Sequence, residues 1–308
     1  MRNRDHLEIS IDGGLGNQLF KFYAGLYFSE KWGLKPVFET SRLSQITKLH
    51  PGENIETLGL LDNYAIKSHR SLFRHDLRLR IYDAYSRRFE NYKSNLLNQA
   101  ANREHSEIGY VEYTQLASPR DLRNGYFQSW RYFDALEVKP IVSYQNLARP
   151  SNWLEQQLNL MAEIDPLVIH VRRGDYQQRK NWQIGCLSPK YYQSINLKAL
   201  ESNEIWILTD SPQTVRDEFK NFGMKTRIIE PAHGSDPVES MILMSNASKI
   251  AISNSTFSWW AAKLASSKTS VYAPRKWFEH RTDPTDLIPT SWERVDSHWV
   301  TQERFQQN

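Results

Sequence analysis

From Pro166 onward the chain alternates between short apolar runs and helix-like stretches, a pattern that admits few folds. Runs at Leu167–Val171, Glu204–Thr209, Thr226–Ile229, Lys249–Ser253 and Ser270–Ala273 read as strands. The stretches between them begin near Pro189, Pro212, Asp236 and Ser255. A proline just inside a helix start costs no hydrogen bond, because that amide has no partner within the helix. Five strands alternating with four helices predict an α/β fold built on a doubly wound parallel sheet, whose loops gather at the carboxyl ends of the strands.

The N-terminus repeats this logic once. Leu7 to Ile11 alternates like a strand, Asp12-Gly13-Gly14-Leu15-Gly16 makes a tight turn, and Asn17 to Trp32 places Leu19, Phe20, Tyr23, Leu26 and Tyr27 at helical spacing. Gly33 is a natural helix stop and Pro36–Glu39 a second strand, giving a βαβ unit. The expectation is two Rossmann-like domains, residues 1–160 and 161–308, facing a central cleft that is the default ligand site. A helix from about Asn152 to Glu163 is expected to bridge them. Within the middle region, Gly125 to Trp130 reads as a short strand ending in a loop, and Leu72, Phe73, Leu77, Ile81, Tyr85 and Phe89 form an uneven helical stripe.

Hydrophobic and charged fractions of 40% and 24% exclude a disordered or fibrous chain. The ten Trp suit a sugar-handling cleft, and suit an ordinary core as well. The net charge of +4 is concentrated. Between Lys67 and Lys93, eight basic residues (Lys67, Arg70, Arg74, Arg78, Arg80, Arg87, Arg88 and Lys93) face three acids, Asp76, Asp83 and Glu90. This stretch is either a solvated helix face or a dock for an anionic membrane, and no nucleic-acid partner is expected. The single Cys186 allows no internal disulfide. No apolar leader and no run of about 18 apolar residues is present, so a cytoplasmic protein is expected, with peripheral membrane contact through the basic stretch.

The sharpest chemical feature is Leu167-Val168-Ile169-His170-Val171-Arg172-Arg173-Gly174-Asp175. If the strand persists to Arg172, His170 and Arg172 project together and Arg173 the opposite way. Arg172 then stands where open α/β sheets bind ligands and can grip a diphosphate through two charge-assisted bonds. Arg173 is expected to pair with Asp175 or another carboxylate and brace the loop. A second feature is Ser253-Asn254-Ser255-Thr256-Phe257, where a strand runs into hydroxyl residues that open a helix. Unpaired amides and the positive end of the helix dipole favour phosphate there, while the plainer reading is an N-cap. Asp210, ending another strand, suits a purine or ribose contact, or an N-cap for the helix after Pro212. In Gly13-Gly14-Leu15-Gly16-Asn17-Gln18 the third glycine of a dinucleotide fingerprint is replaced by Leu19, and Asn17 and Gln18 suit a sugar or leaving phosphate instead. The sequence contains no Asp-x-Asp, no Cys/His cluster, no Gly-x-Ser-x-Gly and no P-loop, so no metal site is expected. The remaining histidines read as surface or satisfied groups.

Taken together, Gly13–Phe20, Gly125–Phe133, His170–Asp175 and Ser253–Ala262, in this order and spacing, resemble the α-1,2-fucosyltransferases of glycosyltransferase family 11. The resemblance implies a GT-B-like fold with an N-terminal acceptor-side domain and a C-terminal domain that binds GDP-fucose. It also implies inverting transfer without a metal or other cofactor, to the 2-hydroxyl of a terminal galactose in an oligosaccharide or lipid-linked glycan of a bacterial surface polysaccharide. By motif, Arg172 would hold the β-phosphate and Asn17 would lie near the sugar and leaving oxygen. His170 and Asp210 would lie near the guanosine, with Ser255, Thr256 and Phe257 at the diphosphate. The Gly125–Gln128 block takes no role, and the base is unnamed, with Asp12, Glu39 or a carboxylate from the middle region as candidates by position. A non-catalytic nucleotide-sugar or carbohydrate-binding protein on the same fold, or an NAD-dependent oxidoreductase using the Gly14-x-Gly16 turn, are the competing readings. The second leaves His170–Asp175 and Ser253–Ala262 without a task.

Overall fold

The computed structural model describes residues 5–41, 43, 54–67, 109–115, 125–140, 150–178, 181–196, 204–222, 225–231 and 237–301. The chain forms two compact units. The first comprises Met1–Pro51, Leu61–Lys139 and Pro284–Leu287, and the second Gly52–Leu60, Pro140–Asp283 and Ile288–Asn308.

In the first unit, strand β1 (His6–Ser10) pairs in parallel with β2 (Lys35–Glu39), and β2 with the short β3 (Ala65–Lys67). The crossover from β1 to β2 is helix α1 (Leu15–Trp32), most of which is buried. The helix ends on Gly33, whose φ of 62° is the left-handed conformation that lets the cap amides turn back onto the last carbonyls. Gly25 is the contact between helix and sheet, since a Cβ there would lie 2.9 Å from Ile9 and 3.3 Å from Phe38. A short helix α2 (Trp130–Asp134) adds Tyr132 to a cluster with Phe28 and Phe127.

Gly125–Trp130 is not a strand. Phe127 has a φ of 52°, which ends any ladder, and Ser129 N–H turns back to the Phe127 carbonyl at 2.8 Å. The kink is held by the 284–287 segment: Ser129 Oγ and the Trp130 amide both donate to the Asp286 carbonyl, and Arg131 pairs with the Asp286 carboxylate at 2.7 Å. Lys67 closes β3 and reaches Glu8 at 3.0 Å, whereas the rest of the basic stretch lies outside the described residues.

The second unit is built on six parallel strands: β4 (Leu167–Val171), β5 (Glu204–Thr209), β6 (Lys225–Ile228), β7 (Lys249–Ala251), β8 (Ser270–Pro274) and β9 (Glu293–Val295). Their spatial order is β6-β5-β4-β7-β8-β9, the doubly wound arrangement. β9 is one strand more than the apolar pattern predicts. It is only three residues long, and its Glu293 and Arg294 are exposed, so it carries no hydrophobic signal. Every residue of the central strand β4 is buried, as a strand covered on both faces by helices must be. The covering helices are α3 (Asn152–Ile164), α4 (Pro189–Asn196), α5 (Pro212–Phe219), α6 (Pro237–Ser245) and α7 (Thr256–Leu264). The expected bridging helix, α3, is part of this unit: the Glu239 carboxylate on α6 accepts from both the Ser151 amide and the Ser151 hydroxyl at its start. Among the described residues no helix is long and apolar enough to cross a membrane.

Replacing Gly25 by valine forces two methyl groups into the α1–sheet contact. The expected cost is about 1–3 kcal/mol, read as a lower urea midpoint with an unchanged m-value.

Candidate functional site

The chain runs from β4 to β5 on one side of the second sheet and returns to β7 on the other, so the carboxyl ends of β4 and β7 meet at the topological switch point. His170 stands at this junction on β4. Its Nδ1 shares a hydrogen bond of 2.8 Å with Ser253 Oγ, across the junction, and its ring lies 5.6 Å from that of Phe257. Burial, reinforced by the charge of Arg172, lowers the imidazole pKa to about 3, so the ring is neutral near pH 7. Tyr192 and Tyr191 on α4 donate their hydroxyls to the carbonyls of His170 and Ile252, both at 2.9 Å, which fixes the two strand ends from below.

The strand ends at Val171, as expected, and does not persist to Arg172, yet the two arginines still diverge. Arg172 Nη2 donates to Asp175 Oδ1 at 2.7 Å, and its Nε lies 3.1 Å from Asp210 Oδ2 without the alignment of a hydrogen bond. The guanidinium covers the Tyr176 ring at 5.4 Å. Arg173 is fully buried and donates from Nε and Nη2 to Glu218 on α5, at 3.0 and 2.7 Å, and from Nη1 to the Arg172 carbonyl. Of the two partners expected for Arg173, Asp175 or another carboxylate, the second holds: Asp175 belongs to Arg172, and the brace for Arg173 is Glu218. Two guanidinium groups face three carboxylates, so this is a paired ionic cluster with one carboxylate in excess and not a bare positive patch.

Asp210 is not an N-cap side chain. Its Oδ1 accepts the Arg173 backbone amide at 2.9 Å, while Ser211 takes the N-cap position of α5 and its hydroxyl accepts from the Gly174 amide. Gly174 is glycine because a Cβ would strike the Asp210 carboxylate. Ser255 sits at the N-cap of α7 but makes no capping bond through its side chain, so the first-turn amides keep their donors. Ser255 is buried, whereas Thr256 and Phe257 are half-buried.

The sequence reading missed Glu218, Tyr176 and Asn254. Tyr176 donates to the Asn254 carbonyl at 3.1 Å, and Asn254 Nδ2 donates to the carbonyls of Ile184 and Gly185, so the loops after β4 and β7 are tied together. A buried arginine calls for a carboxylate, but only the helical phase of α5 selects Glu218 over the adjacent Asp217.

His170, Arg172, Asp210, Ser255, Thr256 and Phe257 all lie in the second unit, and Asn17 in the first. Asn17 occupies the opening turn of α1, where Gly13 has a φ of 81° and Gln18 Nε2 donates to the Gly13 carbonyl at 2.7 Å. Asn17 Oδ1 accepts from Gln128 Nε2 at 2.9 Å, which fixes the orientation of the Asn17 amide and gives the Gly125–Gln128 block a part in the arrangement. The two base candidates named by number are engaged: Asp12 accepts from the buried Lys21 at 2.5 Å, and Glu39 from Ser10 and the Ser41 amide. Among the described residues no group of three or more His, Cys, Asp or Glu stands ready to hold a metal ion. Burial pushes the Cys186 thiol up to about 12, so it carries no thiolate.

Glu218→Ala leaves the Arg173 guanidinium buried and uncompensated. It is expected to cost about 3–5 kcal/mol by urea denaturation. For His170 the folded-state pKa lies below the unfolded one, so the unfolded chain binds the extra proton. Its contribution is present above about pH 6.5 and lost toward pH 3, at about 1.4 kcal/mol per pH unit. His170→Asn, which retains a polar partner for Ser253, is expected to flatten the fall in Tm between pH 6.5 and 4.

The family model of glycosyl transferase family 11 matches residues 7–292. An alpha-1,2-colitosyltransferase of Escherichia coli is 25% identical over 302 residues, covering 93% of this chain and 97% of that protein. Among solved structures, the E. coli ADP-heptose LPS heptosyltransferase II superposes with a TM-score of 0.45 at 10% identity, covering 94% of this chain and 90% of that one. The fucosyltransferase NodZ from Bradyrhizobium does so at 0.42 and 12%, covering 84% and 94%. With the family match spanning both glycine-turn and arginine motifs and nearly the whole chain, this protein belongs to glycosyl transferase family 11.

Proposed function

We propose that this transferase moves L-fucose from GDP-fucose to the 2-hydroxyl of a terminal galactose, with inversion and without a metal ion. The observation that carries the reading is the junction of β4 and β7, where Arg172 and the uncapped start of α7 supply donors suited to a diphosphate. Asp175 and Asp210 engage the Nη2 and Nε sides of Arg172, which orients the guanidinium and offers Nη1 to the β-phosphate. The amides of the first turn of α7, with Ser255 and Thr256, take further phosphate oxygens, and Phe257 flanks them. His170 and Asp210 stand on the guanosine side. His170, held neutral, presents a donor or acceptor to a base without adding charge.

In the reaction the acceptor oxygen forms a bond to the anomeric carbon as the bond from that carbon to the phosphate oxygen breaks. The electron pair leaves with GDP, and the acceptor proton goes to a base. Negative charge therefore grows on the β-phosphate, and donors already fixed in place stabilise it most where water is excluded. Asn17, its amide oriented by Gln128, is assigned to the sugar and its leaving oxygen.

A colitosyl donor is the second reading, favoured by the E. coli relative whose name specifies colitose and the same α-1,2 linkage. The two sugars differ at the 3-hydroxyl, so donor competition separates them.

GDP is expected to raise Tm in the presence of EDTA, and UDP, CMP and NAD are expected to leave it unchanged. Arg172→Ala is expected to lower kcat by ~10²–10³ with the fold intact by circular dichroism. Near-normal turnover in that variant, or a strict metal requirement, would remove the mechanism.

A further inference from the structure

Trp182 stands apart from the other large aromatic side chains of the second unit. Trp206, Trp259, Trp260 and Trp277 are fully buried, whereas Trp182 is 47% exposed. Its ring lies against that of His280, with centroids 5.1 Å apart and an interplanar angle of 41°. Exposing so large an apolar surface is unfavourable by the hydrophobic effect, and here it is held in place by a rigid frame.

The loop that carries Trp182 is laced on three sides. Asn181 Nδ2 donates to the Asp175 carbonyl at 2.8 Å, which ties the loop to the Arg172 motif. Asn254 Nδ2 donates to the carbonyls of Ile184 and Gly185, which ties it to the loop after β7. The amides of Glu279 and His280 donate to the carbonyls of Ile184 and Gln183, both at 3.1 Å. Gly185, with a φ of 76°, lets Glu279 close over it, since a Cβ there would lie 2.6 Å from the Glu279 Cβ and 2.8 Å from its carboxylate. Glu279 Oε1 lies 3.5 Å from His280 Nε2, at the edge of the Trp–His pair. An exposed aromatic ring on one loop, bonded to both donor-side motifs, is thus fixed beside a carboxylate and an imidazole on the segment after β8.

This combination matches the chemistry of a pyranose. The axial 4-hydroxyl of galactose leaves the C–H bonds at positions 3, 4 and 5 on the opposite face, which is apolar and flat enough to lie on an indole. The hydroxyls around the rim need acceptors and donors such as Glu279 and His280. We propose that Trp182 and His280 form the stacking platform for the acceptor galactose, with Glu279 accepting from its hydroxyls. The inference rests on the galactoside reading above, and it departs from the expectation that the acceptor belongs to the N-terminal domain alone by giving the second unit a share of the acceptor site.

The test uses the full chain and methyl β-D-galactopyranoside, first without nucleotide. Saturation-transfer NMR is expected to concentrate the signal on H3, H4 and H5, to lose it in Trp182→Ala and to keep it in Trp182→Phe. In transfer assays Trp182→Ala is expected to raise the acceptor KM at least tenfold, with the donor KM within twofold, and His280→Ala to raise the acceptor KM in the same direction. Absence of saturation in the wild type, or an acceptor KM within twofold in Trp182→Ala, would overturn the platform. The NMR arm needs no donor, so a failure of GDP to bind would count against the donor assignment alone. GDP stabilisation with no galactoside contact at Trp182 would count against the platform alone.

Discussion

The second unit depends on hiding a guanidinium at the end of its central strand. Arg173 is buried completely, and a charge in that environment is tolerable only when paired and hydrogen-bonded on nearly every edge. Glu218 on α5 and the Arg172 carbonyl meet that demand, while Asp210 at the end of β5 holds the backbone amide of the same residue. Satisfying them fixes where α5 sits along β5, bends the chain sharply after β4 and leaves Arg172 facing the other way. The orientation of the residue assigned to phosphate is thus a consequence of the neighbour that never meets it.

The parallel architecture was readable because β4, β5, β7 and β8 carry apolar residues bounded by helical stretches, and the helix starts near Pro189, Pro212, Asp236 and Ser255 lie within a residue or so of those observed. What period and propensity do not encode is long-range pairing. Asp175 is the nearest acid to Arg173 in the chain, yet the true partner lies 45 residues away, because a sharp turn carries Asp175 back toward Arg172. Gly125–Trp130 alternates like a strand, but the left-handed Phe127 is imposed by contacts with Asp286, which no local pattern announces. Of the candidate site residues, His170, Arg172, Asp210, Ser255, Thr256 and Phe257 are gathered on one unit by the sheet order, and Asn17 is set in the other by the βαβ turn.

Hydroxyl and amide side chains do much of the fastening. Tyr176, Tyr191 and Tyr192 each spend their hydroxyl on a backbone carbonyl at the ends of β4 or β7, and Asn254 holds two more carbonyls in the loop that bears Trp182. Loops at a sheet edge carry backbone groups that the ladder no longer satisfies, and side chains that bond them convert a mobile rim into a fixed one. The glycine at 174 serves the same end by admitting the Asp210 carboxylate against the backbone.

The two acids on Arg172 also bear on which anions the protein ignores. A small, abundant ion such as orthophosphate would meet the remaining edge of Arg172 beside two carboxylates already in contact with it, whose negative charge opposes a lone anion. A nucleotide brings its base, its ribose and a second phosphate to the contest and can win it on many bonds at once. Self-pairing of the arginine thereby acts as a threshold, one that favours ligands engaging the whole switch point over those that engage a single charge.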